Sequence, residues 1–468
     1  MKNIKLQSLA TVAGLSLLLA SCGDRLEIEP DNTISTSQAL NTSSDVEALL
    51  VGAYDVLGDE NPGDNDLYGG NLLRNAELLG GDNDLFWDGT FVAPGEIYNK
   101  RILVNNDQAE GTWIDAYEAI NITNNVLANL EVVGEGLPAQ QQTDLKQKVE
   151  GEARFIRGTM YFELVRFYGR AWNDGDPATN LGVPIVLEPT TVINDESFVT
   201  RATVAQVYEQ ALTDLQTAAD LLPTSNGFFA TQYAAQGMLS RVYLMQGRYP
   251  EAAAMADSVI ASGEFALNDN YADAFANENA NTAEDVFAMQ VTSQDGENQM
   301  HRFFAPPSNL GRGDIYILES HLALYEEGDE RRAFFYFDED IEQTFTGKWT
   351  NQFGNVNIIR LAEMYLTRAE ANFRAGTAVG ATPLADINTI RTRAGLAPLT
   401  EVTLDIILRE RHLELAFEGH RIHDLKRTGR PVGELPFTSP LLVFPIPQRE
   451  IDANPELQNQ QNAGYEAG

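Results

Sequence analysis

Apolar residues recur three and four positions apart through most of the chain, with polar residues between them. Side chains at this spacing share one face of a helix, so the pattern predicts a mainly α-helical fold. The first such stripe contains Val46, Leu50, Ala53 and Leu57, and it predicts a helix that opens the folded body.

Two longer stripes and one capped helix are predicted next. The stripes comprise Trp113, Tyr117, Ile120, Asn124 and Leu127, and then Phe155, Met160, Leu164 and Tyr168. Gly169 follows the second stripe, where a glycine readily takes the left-handed conformation that ends a helix. Thr203 is a candidate N-cap of a third helix, which Pro223 would end.

A tetratricopeptide-like unit is predicted around Gly247. Its pattern residues are Leu239, Ser240, Tyr243, Arg248, Tyr249, Ala252 and Ala256. Small residues let two helices pack closely, aromatic residues fill the gaps, and Gly247 turns the chain. A weaker copy starts in 361–371 and turns at Gly376. Such repeats build scaffolds for contacts with other molecules.

Irregular segments interrupt the helices. Residues 58–70 and 80–99 are rich in Gly, Asp and Asn, and residues 268–357 mix such residues with many aromatics. Long irregular insertions in a helical scaffold are where binding loops lie. We therefore predict a helical N-terminal region over 46–267 and a C-terminal region over 268–468, packed together as one body.

The N-terminus has the pattern of a lipoprotein signal. Lys2 and Lys5 precede an apolar stretch that ends in Leu19-Ala20-Ser21-Cys22, and Cys22 is the only cysteine of the chain. A basic start, an apolar run and small residues mark a secretory signal. A cysteine directly after such a site is acylated in bacterial lipoproteins. The sequence thus predicts a signal peptide over 1–21, lipid attachment at Cys22 and a polar tether over 22–45.

Composition and charge exclude some partners. The 468-residue chain is 43% hydrophobic, enough for a large core, and its formal net charge is -36. Removal of residues 1–21, whose only charges are Lys2 and Lys5, would leave -36 - 2 = -38. Nucleic acids and anionic headgroups need cationic partners, so neither is expected to bind the protein surface. Membrane contact is expected through the N-terminal lipid.

Four segments together resemble one known family, the SusD/RagB outer-membrane nutrient-binding lipoproteins. They are the lipidated start at 21–30, the stretch 152–169 followed by Gly182-Val-Pro184, the stretch 409–427 with Glu418-Gly-His-Arg421, and the stretch 444–465 with Phe444-Pro-Ile-Pro447. Each segment is modest alone. Their order, with tetratricopeptide helices between them, is specific, and the similarity spans nearly the whole chain.

The resemblance implies a fold, a role and a location. The fold would be a tetratricopeptide-like helical scaffold with an irregular, loop-rich ligand-binding half. The role would be non-enzymatic capture of an oligosaccharide or polysaccharide, as the lid of a SusC-like outer-membrane barrel transporter. The protein would be lipid-anchored in the cell outer membrane and face the exterior, since Asp24, Glu27 and Glu29 resemble acidic surface-export signals. A peptide-binding member of the same family is the alternative.

Aromatic residues in predicted loops are the candidate ligand contacts. Sugar rings present apolar C–H faces on which aromatic rings stack, while nearby acids and amides bind hydroxyl groups. Trp87 and Trp349 lead because both stand in predicted loops. The full set of candidates is Asp82, Asp84, Phe86, Trp87, Phe304, Tyr316 and Trp349.

No metal, cofactor or catalytic site is predicted. His420 and His423 are three positions apart on a predicted helix, but a zinc site needs three or four converging ligands and no third is evident. The charged residues of this stretch are expected instead to form ion pairs that pack the helix on the repeats; they are Glu410, Glu414, Glu418, Arg411 and Arg421. A glycosidase needs two carboxylates at a fixed separation, and 68 acids supply such pairs by chance. An anchored glycoside hydrolase is therefore only a minor alternative.

Overall fold

A computed structural model of the chain describes residues 40–58, 67–276, 280–294 and 296–465. The described residues from Thr42 onward form one compact unit. The predicted signal peptide, Cys22 and the predicted tether as far as residue 39 lie outside the described residues. None of the described helices combines the length and apolarity needed to cross a bilayer.

Helices dominate the described residues, which confirms the mainly α prediction. The α-helices are α1 (Ser43–Gly58), α2 (Leu72–Gly80), α3 (Val92–Tyr98), α4 (Asp107–Ala128), α5 (Ala139–Tyr168), α6 (Val204–Leu221), α7 (Gln232–Met245), α8 (Tyr249–Ala261), α9 (Gln299–Phe304), α10 (Glu319–Leu322), α11 (Leu361–Ala375), α12 (Pro383–Arg393), α13 (Leu404–Glu414), α14 (Arg421–Arg427) and α15 (Gln448–Ala453). Helix α2 occupies the stretch between the two segments 58–70 and 80–99 that the sequence predicts to be irregular.

Six short strands form three separate antiparallel ribbons in the described part of the chain. They are β1 (Leu85–Trp87), β2 (Asp285–Met289), β3 (Ile315–Ile317), β4 (Phe335–Asp338), β5 (Gln343–Thr346) and β6 (Val356–Arg360). The pairs are β1 with β3, β2 with β6, and β4 with β5. Two of the segments predicted to be irregular therefore contain regular structure, because a strand of three to five residues is too short to show a clear period.

Local signals set several helix ends. Thr203 accepts a hydrogen bond from the Gln206 backbone N–H, and the Gln206 side chain accepts one from the Thr203 N–H, which is a complete capping box. Gly247 and Gly376 take the left-handed conformation, with φ of 70° and 67°. Gly169 does end α5, but its backbone is extended at φ -109° rather than left-handed as predicted.

The helices pack as successive antiparallel neighbours. Helix α5 lies between α4 and α6, and α7 and α8 form the predicted tetratricopeptide-like pair around Gly247. Helix α8 packs on α11, which in turn contacts α12 and α13. Aromatic and aliphatic side chains fill one large core along most of these contacts, and a smaller apolar cluster lies between α11, α12 and α13. The repeat pairs thus form the scaffold, and the strand ribbons are attached to it.

The last described residues close back onto the N-terminal half. The Phe444 N–H donates to the Phe167 carbonyl at 2.8 Å, and the Asn462 amide donates to the Tyr168 carbonyl at 2.8 Å. The buried Arg201 guanidinium donates to the Asn462 side-chain oxygen at 2.9 Å. These contacts place the C-terminal segment on the end of α5.

Buried ion pairs join the C-terminal helices, as the sequence predicted. Glu410 contacts Arg331 at 2.9 Å and Arg391 at 2.7 Å. Glu414 pairs with Arg360 and Arg393. Burial opposes ionisation of Glu414, but these guanidinium groups outweigh burial and lower the pKa of Glu414 to about 2. Loss of one partner from such a pair leaves an uncompensated buried charge, so the network fixes how the helices meet.

Candidate functional site

The β1–β3 ribbon turns one aromatic face outward. Residues 85–87 pair with residues 315–317 in antiparallel register, and Phe86 stands opposite Tyr316. Successive side chains of a strand point to opposite faces. Leu85, Trp87, Ile315 and Ile317 are therefore buried, while Phe86 is exposed and Tyr316 is partly exposed.

Three aromatic side chains, Phe86, Tyr98 and Tyr316, make up what we call the ribbon aromatic surface. The Phe86 and Tyr316 rings stack with centroids 5.2 Å apart and an interplanar angle of 24°. Tyr98, at the end of α3, meets Phe86 edge-on at 5.7 Å. Phe86 is 37% exposed, which is high for a phenylalanine. Rings stacked at this distance turn one face toward each other, so the pair presents a compact apolar patch at the surface.

Charged groups border the ribbon aromatic surface. Asp82 forms an ion pair with Lys100, whose ammonium also donates to the Tyr98 carbonyl at 2.7 Å and lies 5.2 Å from the Tyr98 ring centre. Burial raises the pKa of Tyr98, and Asp82 raises it further. Partial burial likewise raises the pKa of Tyr316, with a smaller effect from Asp88. Both phenols therefore stay protonated at neutral pH and can donate hydrogen bonds.

Trp87 does not form the predicted platform, because it points to the other side of the ribbon. Its side chain is buried and packs against Phe303 with ring centroids 5.8 Å apart. A Cβ atom at Gly89 would lie 2.4 Å from the indole ring, so only glycine fits there. Trp87 thus supports the ribbon from the core side and leaves the outer face to Phe86.

Trp349 and Phe304 are also core residues rather than ligand contacts. The Trp349 indole N–H donates to the Phe417 carbonyl at 3.0 Å, and the side chain is 4% exposed. Phe304 is fully buried, with its ring 5.9 Å from that of Phe417. The irregular insertion does carry aromatic residues, but these two fill the space beneath it.

Asp84 is held inside the protein by cationic and imidazole groups. Its carboxylate lies 2.9 Å from His321 Nδ1, 3.1 Å from His412 Nε2 and 2.7 Å from Arg421 Nε. Burial opposes ionisation of Asp84, but His412, His321 and Arg421 together hold its pKa well below the usual range. A carboxylate so enclosed does not reach a sugar on the ribbon aromatic surface.

His420 and His423 do not act together. Burial lowers the pKa of His420 to about 3 and that of His423 well below its usual value, so both rings are neutral. The His423 ring meets Phe167 edge-on at 5.1 Å, while His420 Nδ1 lies 3.5 Å from an Arg411 nitrogen. Both histidines are packing residues of α14 and its N-terminus.

A second surface feature is an apolar cavity of about 260 Å³ beside α1. Its lining residues are Val51, Tyr54, Asp55, Gly58, Phe228, Phe229, Phe287, Ala288, Met289 and Gln290. Phe228 and Phe229 are 56% and 39% exposed. No motif in the sequence predicts this cavity, although the Phe228-Phe229 pair before α7 stands apart from any helical stripe.

Comparisons with known proteins agree with the fold. A family model for starch-binding proteins that associate with the outer membrane matches residues 24–244, and a SusD family model matches residues 336–435. SusD-like protein P2 of Formosa agariphila is 24% identical to this chain over 88% of the chain and 89% of its own length.

Solved structures give the same result. A Bacteroides vulgatus protein, provisionally described as sugar-binding, has a TM-score of 0.80 and 28% identity, with 92% of this chain and 100% of that chain covered. A SusD superfamily protein of Bacteroides thetaiotaomicron has a TM-score of 0.78 and 26% identity, with 90% and 99% covered.

Fold and comparisons together define a helical-repeat protein of a class whose members are described as starch-binding and as associating with the outer membrane. Within that class, the chain belongs to the SusD/RagB family. The family predicted from the four sequence segments is thus confirmed.

Proposed function

We propose that this protein is a non-enzymatic, lipid-anchored glycan-binding protein that acts as the lid of an outer-membrane uptake complex. The observation that carries the proposal is the ribbon aromatic surface of Phe86, Tyr98 and Tyr316. Family membership supports the saccharide class of ligand. The oligosaccharide or polysaccharide would reach this surface from outside the cell.

The stacked pair suits one sugar ring. The C–H face of a pyranose can pack against the exposed part of the stacked pair of Phe86 and Tyr316. The phenol groups of Tyr98 and Tyr316 and the exposed Asp88 carboxylate can then bind hydroxyl groups at the ring edge. Aromatic faces with a few polar groups beside them are the usual composition of small-ligand sites.

The anchor and partner follow from the family and from the N-terminus. Acylation at Cys22 would hold the protein at the membrane, since two or more acyl chains anchor stably. The polar residues after Cys22 would let the body move relative to a SusC-like barrel transporter while it stays attached. We expect display on the exterior because Asp24, Glu27 and Glu29 resemble acidic surface-export signals.

A binding panel tests the glycan proposal. Affinity electrophoresis against a set of polysaccharides identifies a ligand, and calorimetry then measures its dissociation constant. Stacking of one ring contributes about 0.5–1.5 kcal/mol, so Phe86→Ala should weaken binding by about two- to tenfold and Phe86→Ala with Tyr316→Ala by more. Phe337→Ala is the matched control, because Phe337 is 53% exposed on the separate β4–β5 ribbon. An unchanged affinity in the double variant would refute the assignment of this surface.

Peptide binding is the second candidate, and the apolar cavity beside α1 favours it. Nearly all of its lining is apolar, and about 260 Å³ accommodates large peptide side chains better than it serves a sugar rich in hydroxyl groups. A peptide library bound by the wild-type chain but not by Phe228→Ala would support this role. Binding to peptides with no binding to any glycan would overturn the glycan proposal.

The hydrolase alternative has a direct assay. Incubation of the wild-type protein with each bound glycan should release no new reducing ends, because the proposal assigns binding alone. Reducing ends that scale with protein concentration and disappear in the Phe86→Ala, Tyr316→Ala variant would show hydrolysis at the ribbon aromatic surface and contradict the non-enzymatic role.

A further inference from the structure

Three side chains with metal-binding atoms converge beneath the β1–β3 ribbon. Asp84 directly precedes β1, His321 lies in α10 just after β3, and His412 lies in α13. Their donor atoms all lie within 4.8 Å of one another. No other such group of three His, Cys, Asp or Glu side chains occurs among the residues that the structure describes.

His321 is placed so that either a proton or a metal ion can lie at its Nδ1 atom. Nδ1 is 2.9 Å from an Asp84 carboxylate oxygen, and an N–H at Nδ1 donates to that oxygen when no metal is bound. Nε2 is 3.2 Å from the Tyr325 hydroxyl, which is also 3.2 Å from the Leu413 carbonyl. This hydroxyl can donate to the carbonyl and accept from Nε2–H, which would leave the Nδ1 lone pair for a metal ion.

The other carboxylate oxygen of Asp84 is incompletely satisfied. Asp84 Oδ2 and Arg421 Nε are 2.7 Å apart, yet both are buried atoms without a hydrogen bond, since the N–H does not point along the contact. His412 Nε2 approaches the same oxygen at 3.1 Å. Oδ2 thus lies beside nitrogen atoms that neutralise the charge of the carboxylate but do not form a hydrogen bond to this oxygen.

The spacing of the donors suits a zinc-like ion. Zinc binds imidazole nitrogen and carboxylate oxygen at about 2.0–2.2 Å in tetrahedral geometry, which places neighbouring ligand atoms about 3.3 Å apart. The separations of 2.9 Å from His321 Nδ1 to Asp84 Oδ1 and of 3.1 Å from His412 Nε2 to Asp84 Oδ2 are close to this value, so both carboxylate oxygens would face the ion. Tyr325 holds the outer nitrogen of His321, as outer-shell partners of metal-bound histidines commonly do.

An entry path and room for a fourth ligand are present. His412 is the least buried of the three side chains, at 16% exposed, and it lines a small cavity with Arg421 and Glu77. The cavity has a volume of about 30 Å³, which is enough for a water molecule.

We propose that Asp84, His321 and His412 form a binding site for a divalent transition-metal ion of the zinc class, with water as the fourth ligand. The site lies apart from the ribbon aromatic surface, on the core side of the same ribbon. A bound ion would link one end of the ribbon, where β1 begins and β3 ends, to helix α13, so its expected role is structural.

Metal titration tests the site in the full chain. Cys22→Ser removes the single thiol. The protein is prepared without a polyhistidine tag, so that no tag binds the metal, and it is stripped of bound metal with a chelator. Zn²⁺ should bind with one-to-one stoichiometry by calorimetry and raise the thermal unfolding midpoint. Co²⁺ should give the strong visible absorption of a four-coordinate site. His412→Gln should weaken Zn²⁺ binding about 100-fold or more, as expected for loss of a direct ligand.

His301→Gln is the matched control, because His301 is also buried but lies in α9, hydrogen-bonded to Glu297 and the Asn309 carbonyl. This variant should bind Zn²⁺ like the Cys22→Ser chain. Absence of one-to-one binding in the Cys22→Ser chain, or a weak six-coordinate Co²⁺ spectrum, would overturn the proposal and assign a proton to the His321–Asp84 contact. Equal Zn²⁺ affinity in a folded His412→Gln variant would overturn it too. If that variant does not fold, the Co²⁺ spectrum decides alone.

Discussion

Glu77 joins the two halves of the protein through a single oxygen atom, and its removal gives a sharp test of the packing. It lies in α2, and its Oε1 accepts the backbone N–H groups of Gly419, His420 and Arg421 at 2.8, 3.0 and 3.3 Å. These N–H groups stand at the N-terminus of α14, where no earlier carbonyl is available to them. A side chain more than 340 residues away in sequence thus caps this helix.

Two substitutions separate the hydrogen bonds from the charge. Glu77→Gln keeps an oxygen acceptor for the three N–H groups, whereas Glu77→Ala removes it and leaves them buried without a partner. Each unsatisfied buried donor costs about 1–3 kcal/mol, so the alanine variant should be less stable than the glutamine variant by about 3 kcal/mol or more. Both variants lack the carboxylate, so the difference between them reports the hydrogen bonds.

The pH dependence gives a second measure. Burial raises the pKa of Glu77 from 4.5 to about 7. The folded state therefore binds more protons than the unfolded state between these values, and wild-type stability falls as the pH rises from 4.5 to 7. The slope from this group is at most about 1.4 kcal/mol per pH unit. Glu77→Gln has no such proton, so its stability relative to wild type should increase across the same range.

Urea unfolding followed by circular dichroism measures these free energies, once reversibility is checked by dilution. Glu264→Ala is the control, because Glu264 is an exposed residue after α8. A difference of less than about 1 kcal/mol between Glu77→Ala and Glu77→Gln would refute the reasoning, since it would mean that the three N–H groups find other partners.

Three further predictions concern the ion-pair network, the turns and the buried tryptophan. Burial lowers the pKa of Lys348 to about 8, below its unfolded value of 10.5. The free energy of unfolding of the wild type should therefore rise relative to that of Lys348→Met as the pH rises between these values. A parallel pH dependence of both proteins in urea unfolding would contradict this. Gly376→Ala should destabilise the protein by about 1–2 kcal/mol because the φ of this residue is +67°. Gly52→Ala in helix α1 should stabilise it by about 0.5–1 kcal/mol, because a Cβ atom there would have no other atom within 4 Å. Equal unfolding midpoints of the two variants would exclude the backbone explanation. Trp349→Phe should lower the free energy of unfolding by about 1–3 kcal/mol, because the buried Phe417 carbonyl loses its hydrogen-bond donor. The glycan affinity of this variant should be unchanged. Loss of glycan binding by a folded variant in calorimetry would show that Trp349 belongs to the ligand site.

The helical part of the fold follows from local signals in the sequence. The stripe through Phe155 and Tyr168 predicts α5, and Thr203 with Gln206 specifies the start of α6, because both signals act within one or two turns. Gly247 and Gly376 mark turns for the same reason. These features need no information from distant parts of the chain.

The proposed ligand surface and the buried contacts depend on residues that are far apart in the sequence. The sequence alone therefore does not show which of the candidate side chains are exposed and which are buried. Phe86 and Trp87 are neighbours, and only pairing with residues 315–317 decides which of them faces solvent. Asp84 looks like a loop acid, yet its partner His321 is 237 residues away. Trp349 is an aromatic residue of a predicted loop in the sequence, but in the structure its indole N–H donates to the Phe417 carbonyl.

The closing contacts at the C-terminus also set an order for folding during synthesis. Arg201 obtains partners from Gln460 and Asn462, about 260 residues later in the chain. The carbonyl of Tyr168, at the end of α5, accepts from both Arg201 and Asn462. A nascent chain that lacks its last residues can therefore form the Arg201 contacts to Tyr168 and Gly182, but not those to Gln460 and Asn462. The native hydrogen bonds of this region are thus complete only after the last residues have been translated.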